Sequence, residues 1–303
     1  MRVAITGATG LIGTALTHDL RAAGVDVLRL VRRPPAGPGE VRWDPAAAGA
    51  GLDRSALSGL DAVVHLSGAG VADRRWTPAR KQELRDSRIA TTSALVRAML
   101  AAEQPPPVLL AGSAVGWYGQ TGDRAVDETE PSGTGFLAAL VRDWEAAASA
   151  AAAAGVRVVN LRSGVVLTRD GGMLARLLLP FRLGLGIRFG PGTQYLSWIT
   201  LTDHLRAVRF LLEHQDLSGP VNLTAPAPVT NAEFTKALAA ALHRPALLAV
   251  PSAALRLGLG EVSTELLGSN RVLPARLEQA GFAFRYPAIG PALAAAAGEK
   301  PSR

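Results

Sequence analysis

Three glycines near the start of the chain, Gly7, Gly10 and Gly13, have a spacing that can hold a phosphate group. The first glycine permits a tight turn, the second lets the backbone approach a pyrophosphate, and the third allows close packing of the next helix on the strand. The N-terminus of that helix attracts the phosphate charge. An apolar strand precedes the turn and an amphipathic helix follows it, which is the context that the motif requires; the alternative is a glycine turn without a ligand. The predicted dinucleotide-binding residues of the turn are Gly7, Thr9, Gly10, Leu11, Ile12 and Gly13.

The end of the second predicted strand, Val31-Arg32-Arg33, indicates which dinucleotide the turn holds. An NAD site places an acid there to bind the ribose 2′-hydroxyl, and this chain has no acid at that position. An arginine can instead bind a 2′-phosphate with two parallel hydrogen bonds. We therefore predict NADP as the cofactor. Arg32 is the first candidate for the 2′-phosphate, and Arg33 the second, with a solvated surface arginine as its alternative.

The cysteine and histidine content excludes several kinds of chemistry. The 303 residues contain no cysteine, so disulfides, thiolate catalysis and cysteine-ligated metals are excluded. The five histidines are scattered, and no two of them are four residues apart. That spacing is typical of a helical metal site. We predict no metal.

The net charge of +7 comes almost entirely from arginine, because only three residues are lysine. The arginines are spread along the chain, without a basic tail or a basic stripe that contains aromatic residues, so we predict no nucleic-acid partner. A basic cleft would suit a phosphorylated cofactor or an anionic small-molecule substrate. We also predict no membrane span and a cytoplasmic location, since no apolar run reaches about 18 residues and Met1 leads directly into a strand.

Strand and helix patterns alternate through the first half of the chain. Apolar strands are predicted at 3–6, 25–31, 41–43, 62–66, 108–110 and 156–161, and long helices at 78–103 and 135–154. This alternation predicts a Rossmann-type α/β fold, a doubly wound parallel sheet with helices on both faces. After about residue 170 glycine and proline interrupt short segments, and helices are expected at 203–215 and 230–242. We predict a Rossmann domain at 1–170 and a smaller substrate-side lobe at 171–303 that partly returns to the main sheet.

Several motifs resemble the extended short-chain dehydrogenase/reductase superfamily, and more closely its atypical subgroup of epimerase family proteins, which carry their own C-terminal domain. The resemblance implies a Rossmann-type fold, NADP binding and an oxidoreductase or epimerase role. Dimers in this superfamily often form through the two long helices, which makes a homodimer an expectation. The matching segments are 6–13, 61–68, 113–119, 142–145, 161–164, 181–186, 219–223, 271–274 and 280–287.

The resemblance also implies roles for individual residues. Asp44 would lie near the adenine, and Leu66, Ser67 and Gly68 would line the cofactor. Ser113 would match the catalytic serine or threonine that binds the substrate oxygen.

The superfamily's Tyr-x-x-x-Lys pair, in which the ammonium lowers the pKa of the phenol, is missing from this chain. The corresponding helix has Phe136 and Leu140 in those positions, and no tyrosine is followed four residues later by lysine. Three alternatives remain open. In the first, another group transfers the proton; Tyr118 is the leading candidate, with a wall of the pocket as its alternative role. In the second, the substrate is already activated and needs no strong acid. In the third, the protein is a non-catalytic, NADP-binding regulator or scaffold.

Arg88 lies on the otherwise apolar, inward stripe of the helix predicted at 78–103. Burial of an arginine is costly without a partner. We therefore expect either a carboxylate partner or an anionic ligand, and we include Arg88 among the cofactor-site candidates. Among the other polar residues, His65 is interpreted as a hydrogen-bonded core histidine and Glu145 as structural.

Overall fold

The computed structural model describes residues 1–47, 51–52 and 54–298. The strands are β1 (Arg2–Thr6), β2 (Asp26–Val31), β3 (Glu40–Arg42), β4 (Ala62–His65), β5 (Val108–Ala114), β6 (Ala125–Val126), β7 (Arg157–Ser163), β8 (Val165–Leu167), β9 (Ile187–Phe189), β10 (Tyr195–Leu196), β11 (Trp198–Thr200), β12 (Gly219–Leu223), β13 (Val229–Thr230), β14 (Leu248–Val250) and β15 (Arg271–Val272). The helices are α1 (Leu11–Ala22), α2 (Pro78–Arg85), α3 (Thr91–Leu100), α4 (Phe136–Ser149), α5 (Gly172–Arg182), α6 (Leu201–Glu213), α7 (Asn231–Ala241), α8 (Ser252–Leu259), α9 (Ser263–Leu266), α10 (Ala275–Gln279) and α11 (Ile289–Gly298).

Seven parallel strands form the central sheet in the order β12-β7-β5-β4-β1-β2-β3. The order reverses between β1 and β4, and at such a point the carboxyl ends of the strands leave a crevice in which ligands bind. The predicted doubly wound α/β fold is confirmed.

Apolar side chains cover both faces of this sheet. On one face, Leu16 of α1 and Leu211 of α6 belong to a core that includes strand residues of the sheet. On the other, Leu95 of α3 and Ala148 of α4 do the same. The continuous apolar strands of the sequence result from this double coverage, since a strand buried on both faces has no polar side to expose.

The helix predicted at 78–103 consists of α2 and α3, joined by a π-helical turn at Asp86–Ala90. It begins as the sequence indicates, since the Thr77 side chain accepts a hydrogen bond from the Arg80 backbone N–H and Pro78 occupies the first turn. The π turn contains Arg88. Such turns insert an extra residue into a helix and are frequent at functional sites.

A second, smaller core lies between α5, α7 and α11 and contains Phe181, Trp198 and Phe234. The helices expected at 203–215 and 230–242 are α6 and α7, which begin at the threonine caps Thr200 and Thr230. Strand β12 follows α6 and pairs with β7 of the central sheet. The division at residue 170 stays a prediction.

No helix in the described ranges is long and apolar enough to cross a membrane. Across the same ranges, no three histidine, aspartate or glutamate residues lie close enough together to hold a metal ion.

Candidate dinucleotide-binding and catalytic cleft

The glycine turn between β1 and α1 leaves no room for side chains at its first and third glycines. A Cβ on Gly7 would lie 2.6 Å from the backbone carbon of Leu66, and one on Gly13 would lie 2.2 Å from the Gly7 oxygen. Gly7 also has a φ of 64°, which favours glycine. Gly10 caps α1 without a side-chain hydrogen bond, so no side chain of the cap competes with an anion for the first N–H groups of the helix.

A cavity of about 800 Å³ lies above this turn. Its lining brings together seven of the predicted cofactor residues: Gly7, Thr9, Gly10, Arg32, Leu66, Ser67 and Gly68. The other predicted residues, Leu11, Ile12, Gly13, Arg33, Asp44 and Arg88, are not among the residues that line it. Other lining residues were not predicted from the sequence: Trp43, which is next to Asp44, and the wall formed by Gln82, Glu83, Asp86, Ser87 and Thr91.

The two arginines after β2 have different surroundings. Arg33 donates two hydrogen bonds of 2.7 Å to the carboxylate of Glu40, and Arg29 donates a third to Glu40 at 2.9 Å. The bonds from Arg33 help to lower the pKa of Glu40 to about 2. Arg32 lines the cavity and forms no hydrogen bond or ion pair with any described residue. Arg32 is therefore the arginine of this pair that is available to an anion in the cavity.

Arg88 lies directly behind the loop that follows β4. Its guanidinium donates to the Ala69 carbonyl at 2.9 Å and lies 5.2 Å from the ring centroid of Trp144, and no carboxylate in the described ranges pairs with it. A Cβ on Gly68 would come within 3.2 Å of the guanidinium carbon. Burial lowers the pKa of Arg88 to about 10, so the side chain remains charged at neutral pH. The loop after β4 thus carries a positive charge that carbonyl dipoles and an aromatic ring stabilise.

His65 links the floor of the cleft to the helices beneath it. Its ring nitrogens lie 2.6 Å from the Thr6 hydroxyl and 2.9 Å from the Thr92 hydroxyl, which also accepts a hydrogen bond from the Trp144 indole. Burial lowers the pKa of His65 to about 3, so it is neutral. This arrangement agrees with the predicted core role.

Ser113 lies near the carboxyl end of β5, opposite Arg162 of β7 in the register of the sheet. Its hydroxyl donates to Glu145 of α4 at 2.5 Å, and Glu145 accepts two further hydrogen bonds from Arg162, of 2.8 and 2.9 Å. All three side chains are buried. The sequence predicts only a structural role for Glu145 and does not indicate that its carboxylate meets Ser113.

Tyr118 extends the same network on the other side of Arg162. Its hydroxyl donates to Asn222 at 2.7 Å and accepts a hydrogen bond from Arg162 at 3.1 Å. Burial raises the pKa of Tyr118 to about 12, and the residue is only 4% exposed. The structure therefore places Ser113 and Tyr118 in one buried network, joined through Glu145 and Arg162.

The two positions of the missing Tyr-x-x-x-Lys pair are in an apolar cluster beside the cavity. Leu140 belongs to this cluster with Trp76, Leu84 and Val262, and Phe136 packs against it. The rings of Trp76 and Phe136 meet edge to face at 5.1 Å. Neither position of α4 can exchange a proton.

Ionic contacts join the loop and helix after β4 to later parts of the chain. Lys81 pairs with Glu261 at 2.6 Å, and Asp73 pairs with Arg176 at 3.0 Å. Arg75 donates to the backbone carbonyl of Gly258. These contacts hold later parts of the chain against the loop and helix after β4.

Comparison with known families divides the chain into two matches. Residues 3–223 match the NAD dependent epimerase/dehydratase family, and residues 250–296 match a domain of unknown function, DUF1731. The first match covers the whole central sheet, and the second includes α9 and α10.

Individual relatives match almost the whole chain. An epimerase family protein of Mycobacterium tuberculosis is 52% identical over 292 residues, 96% of both chains. The human epimerase family protein SDR39U1 is 39% identical over 297 residues, 97% of this chain and 98% of its own.

Two solved structures are also similar. A crystal structure of human SDR39U1 with NADPH matches with a TM-score of 0.89 and 38% identity, covering 98% of this chain and 99% of that one. A nucleoside-diphosphate sugar epimerase of Corynebacterium glutamicum matches with a TM-score of 0.81 and 37% identity, covering 98% of this chain and 58% of the other.

Proposed function

We propose an NADP(H)-dependent oxidoreductase function for this chain, which belongs to the NAD dependent epimerase/dehydratase family and to its subgroup of epimerase family proteins. The observation that carries the proposal is the position of Arg32, which lines the dinucleotide cavity and has no partner among the described residues. Glu40, an acid near that strand end, is held by Arg33 and Arg29. The human relative solved with NADPH supports the same cofactor.

The residues of the turn fit a pyrophosphate. A Cβ at Gly7 or Gly13 would collide with backbone atoms, so the tight turn requires both glycines, and the N-terminus of α1 is open. We assign the pyrophosphate to this turn, the 2′-phosphate to Arg32, and the rest of the cofactor to the surfaces of Leu66, Ser67 and Gly68. Arg88 supports the last of these surfaces from behind.

Ser113 is the proposed catalytic residue. Its hydroxyl donates a hydrogen bond to Glu145, so its oxygen is left to accept a hydrogen bond from a substrate hydroxyl. Glu145 and Arg162 hold that oxygen in place. When bound, NADP(H) supplies or accepts the hydride at a substrate carbon. The proposed substrate is a small carbonyl or hydroxyl compound.

For Tyr118 we propose a positioning role rather than proton transfer. Its hydroxyl is tied to Asn222 and Arg162, and the raised pKa of about 12 makes it a poor proton donor at neutral pH. Tyr118→Phe should therefore lower turnover far less than Ser113→Ala.

The test combines cofactor binding with a turnover panel. Calorimetry should show tighter binding of NADPH than of NADH, and NADPH should be oxidised by some member of a panel of carbonyl compounds and nucleotide sugars. Ser113→Ala should lower that rate about tenfold while NADPH binding is retained, because the hydroxyl that forms on the substrate loses a hydrogen-bond acceptor. Equal affinity for the two cofactors would overturn the NADP assignment.

The competing function is a non-catalytic NADP-binding regulator or scaffold. The apolar Phe136 and Leu140 favour it, because the usual proton-transfer pair cannot form there. Binding of NADPH without oxidation across the panel would support this alternative. The cytoplasmic location and the homodimer remain predictions.

A further inference from the structure

A short segment of the C-terminal region packs against an apolar cluster beside the cavity, and Ala69 belongs both to that cluster and to the cavity wall. Val262, at the end of the 3₁₀ turn before α9, packs in the cluster that holds Leu140 and Phe136. On the other side of the segment, Gln120 donates to the Thr264 carbonyl at 3.5 Å and accepts a hydrogen bond from the Ser269 backbone at 2.8 Å. Helix α9 is therefore bracketed by the loop after β5 and by the first turns of α4.

Glu265 is the acidic residue of α9. It follows Val262 by three residues, a spacing that places two side chains on the same side of a helix. Its side chain is half-buried and forms no hydrogen bond or ion pair with any described residue. A half-buried carboxyl without a partner is costly to keep charged. Such groups cluster at functional sites.

Three charged side chains near α9, those of Glu261, Arg75 and Arg271, have partners other than Glu265. Glu261 pairs with Lys81, and Arg75 binds backbone carbonyls of Leu257 and Gly258. Arg271 of β15 stacks on Tyr195 and donates to the Asp123 carbonyl. Arg256 lies in the last turn of α8. Burial alone raises the pKa of Glu265, to about 7.

From this placement we infer that Glu265 is the proton-exchange group of the cleft, and that it acts where Phe136 and Leu140 cannot. The inference rests on the proposed oxidoreductase function. In the reducing direction, a carbonyl carbon receives the hydride, the electron pair of the C=O double bond moves to oxygen, and that oxygen takes the proton of the Glu265 carboxyl. The carboxylate then regains a proton from water. In the oxidising direction the carboxylate accepts the proton of a substrate hydroxyl.

One test needs no substrate. The nicotinamide ring is positively charged in NADP⁺ and neutral in NADPH, so a nearby carboxyl must have a lower pKa with the oxidised cofactor. The Glu265 carboxyl carbon, assigned by its absence from Glu265→Gln, is titrated by ¹³C NMR with each cofactor at saturation. We expect a pKa lower by about one unit with NADP⁺ than with NADPH. Equal pKa values would overturn the placement of Glu265 at the reacting end of the cofactor.

The same interaction must be visible in cofactor affinity, because linkage is reciprocal. From pH 6 to pH 8 the affinity for NADP⁺ relative to NADPH should rise about fivefold, and Glu265→Gln should abolish that rise. Glu213→Gln, which changes an exposed carboxyl at the end of α6, is the matched control and should retain it.

The activity measurement separates this inference from the proposed function. With a substrate from the panel, Glu265→Gln should lower kcat about 100-fold and remove the pH dependence near 7 without changing NADPH affinity, and Glu265→Asp should restore part of the rate. Turnover that is unchanged in Glu265→Gln would overturn the inference and leave the proposed function intact. If the wild-type protein turns over no compound, the proposed function fails, and the two cofactor titrations still decide where Glu265 lies.

Discussion

The Ser113 hydroxyl lies 2.5 Å from a carboxylate oxygen of Glu145, and the same carboxylate is held by two hydrogen bonds from Arg162. Serine, glutamate and arginine come from β5, α4 and β7, so three elements of the Rossmann core converge on one hydroxyl. The arrangement fixes the direction of the Ser113 proton and leaves the oxygen as an acceptor. It also places a buried charge pair next to the proposed reacting centre.

Glu145→Gln should destabilise the protein strongly. Arg162 is 2% exposed and would lose its carboxylate, and removing one partner of a buried pair costs about 3–5 kcal/mol. Urea unfolding at pH 7.5 measures this loss. The double variant Glu145→Leu with Arg162→Met should lose less than the sum of the single changes, because no unpaired charge remains. Additive losses would show that the two residues do not stabilise each other.

Gly13→Ala should weaken NADPH binding by at least about tenfold, or 1.4 kcal/mol. A Cβ there would lie 2.2 Å from the Gly7 carbonyl oxygen, so the turn or the helix must move. Gly37→Ala is the matched control, since a Cβ at Gly37 meets nothing within 4 Å. Calorimetric titration with NADPH checks both variants, and equal affinities would contradict the role of the turn.

Much of the proposed phosphate site could be predicted from the sequence because it is local. Gly7, Gly10 and Gly13 follow one another within a single strand-turn-helix unit, and Arg32 directly follows β2, the next strand of the chain. Their spacing alone therefore determines which of them can meet the cofactor.

The catalytic end of the cleft could not be predicted in the same way, because it is assembled from distant segments. Tyr118 meets Asn222 across 104 residues of sequence, and Val262, just before α9, shares an apolar cluster with Phe136 although more than 120 residues separate them. Nothing in the local pattern distinguishes Glu145 from a surface acid. Only the packing of α4 against β5 and β7 shows that its carboxylate is buried.

Arg32→Ala should weaken NADPH binding about tenfold to 100-fold and leave NADH binding nearly unchanged. The reason is that a hydrogen bond to a charged group contributes about 1.5–3 kcal/mol, and only NADPH carries the 2′-phosphate. Arg33→Ala serves as the comparison, because Arg33 is already paired with Glu40. Calorimetry with both cofactors gives the discrimination directly. A larger loss in Arg33→Ala than in Arg32→Ala would reverse the assignment.

Acid should destabilise the protein through two buried histidines. Burial lowers the pKa of His65 to about 3 and that of His204 to about 4, both from 6.5. Between pH 6.5 and those values the unfolded chain binds protons that the folded chain does not bind. The stability that each neutral histidine confers is therefore complete above pH 6.5 and is lost as the pH falls, by up to about 1.4 kcal/mol per pH unit for each.

Urea unfolding at pH 7.5, 6.0 and 5.0 measures this slope. His65→Asn and His204→Asn should each reduce it by up to about 1.4 kcal/mol per pH unit, whatever the change does to stability at pH 7.5. His214→Asn, at an exposed position, should leave the slope unchanged. The raised pKa of Glu265 acts in the opposite direction, since its folded form retains a proton that the unfolded chain releases above pH 4.5. That contribution is common to all the histidine variants and cancels between them. A slope that stays the same in both buried-histidine variants would show that neither ring is neutral because of its burial.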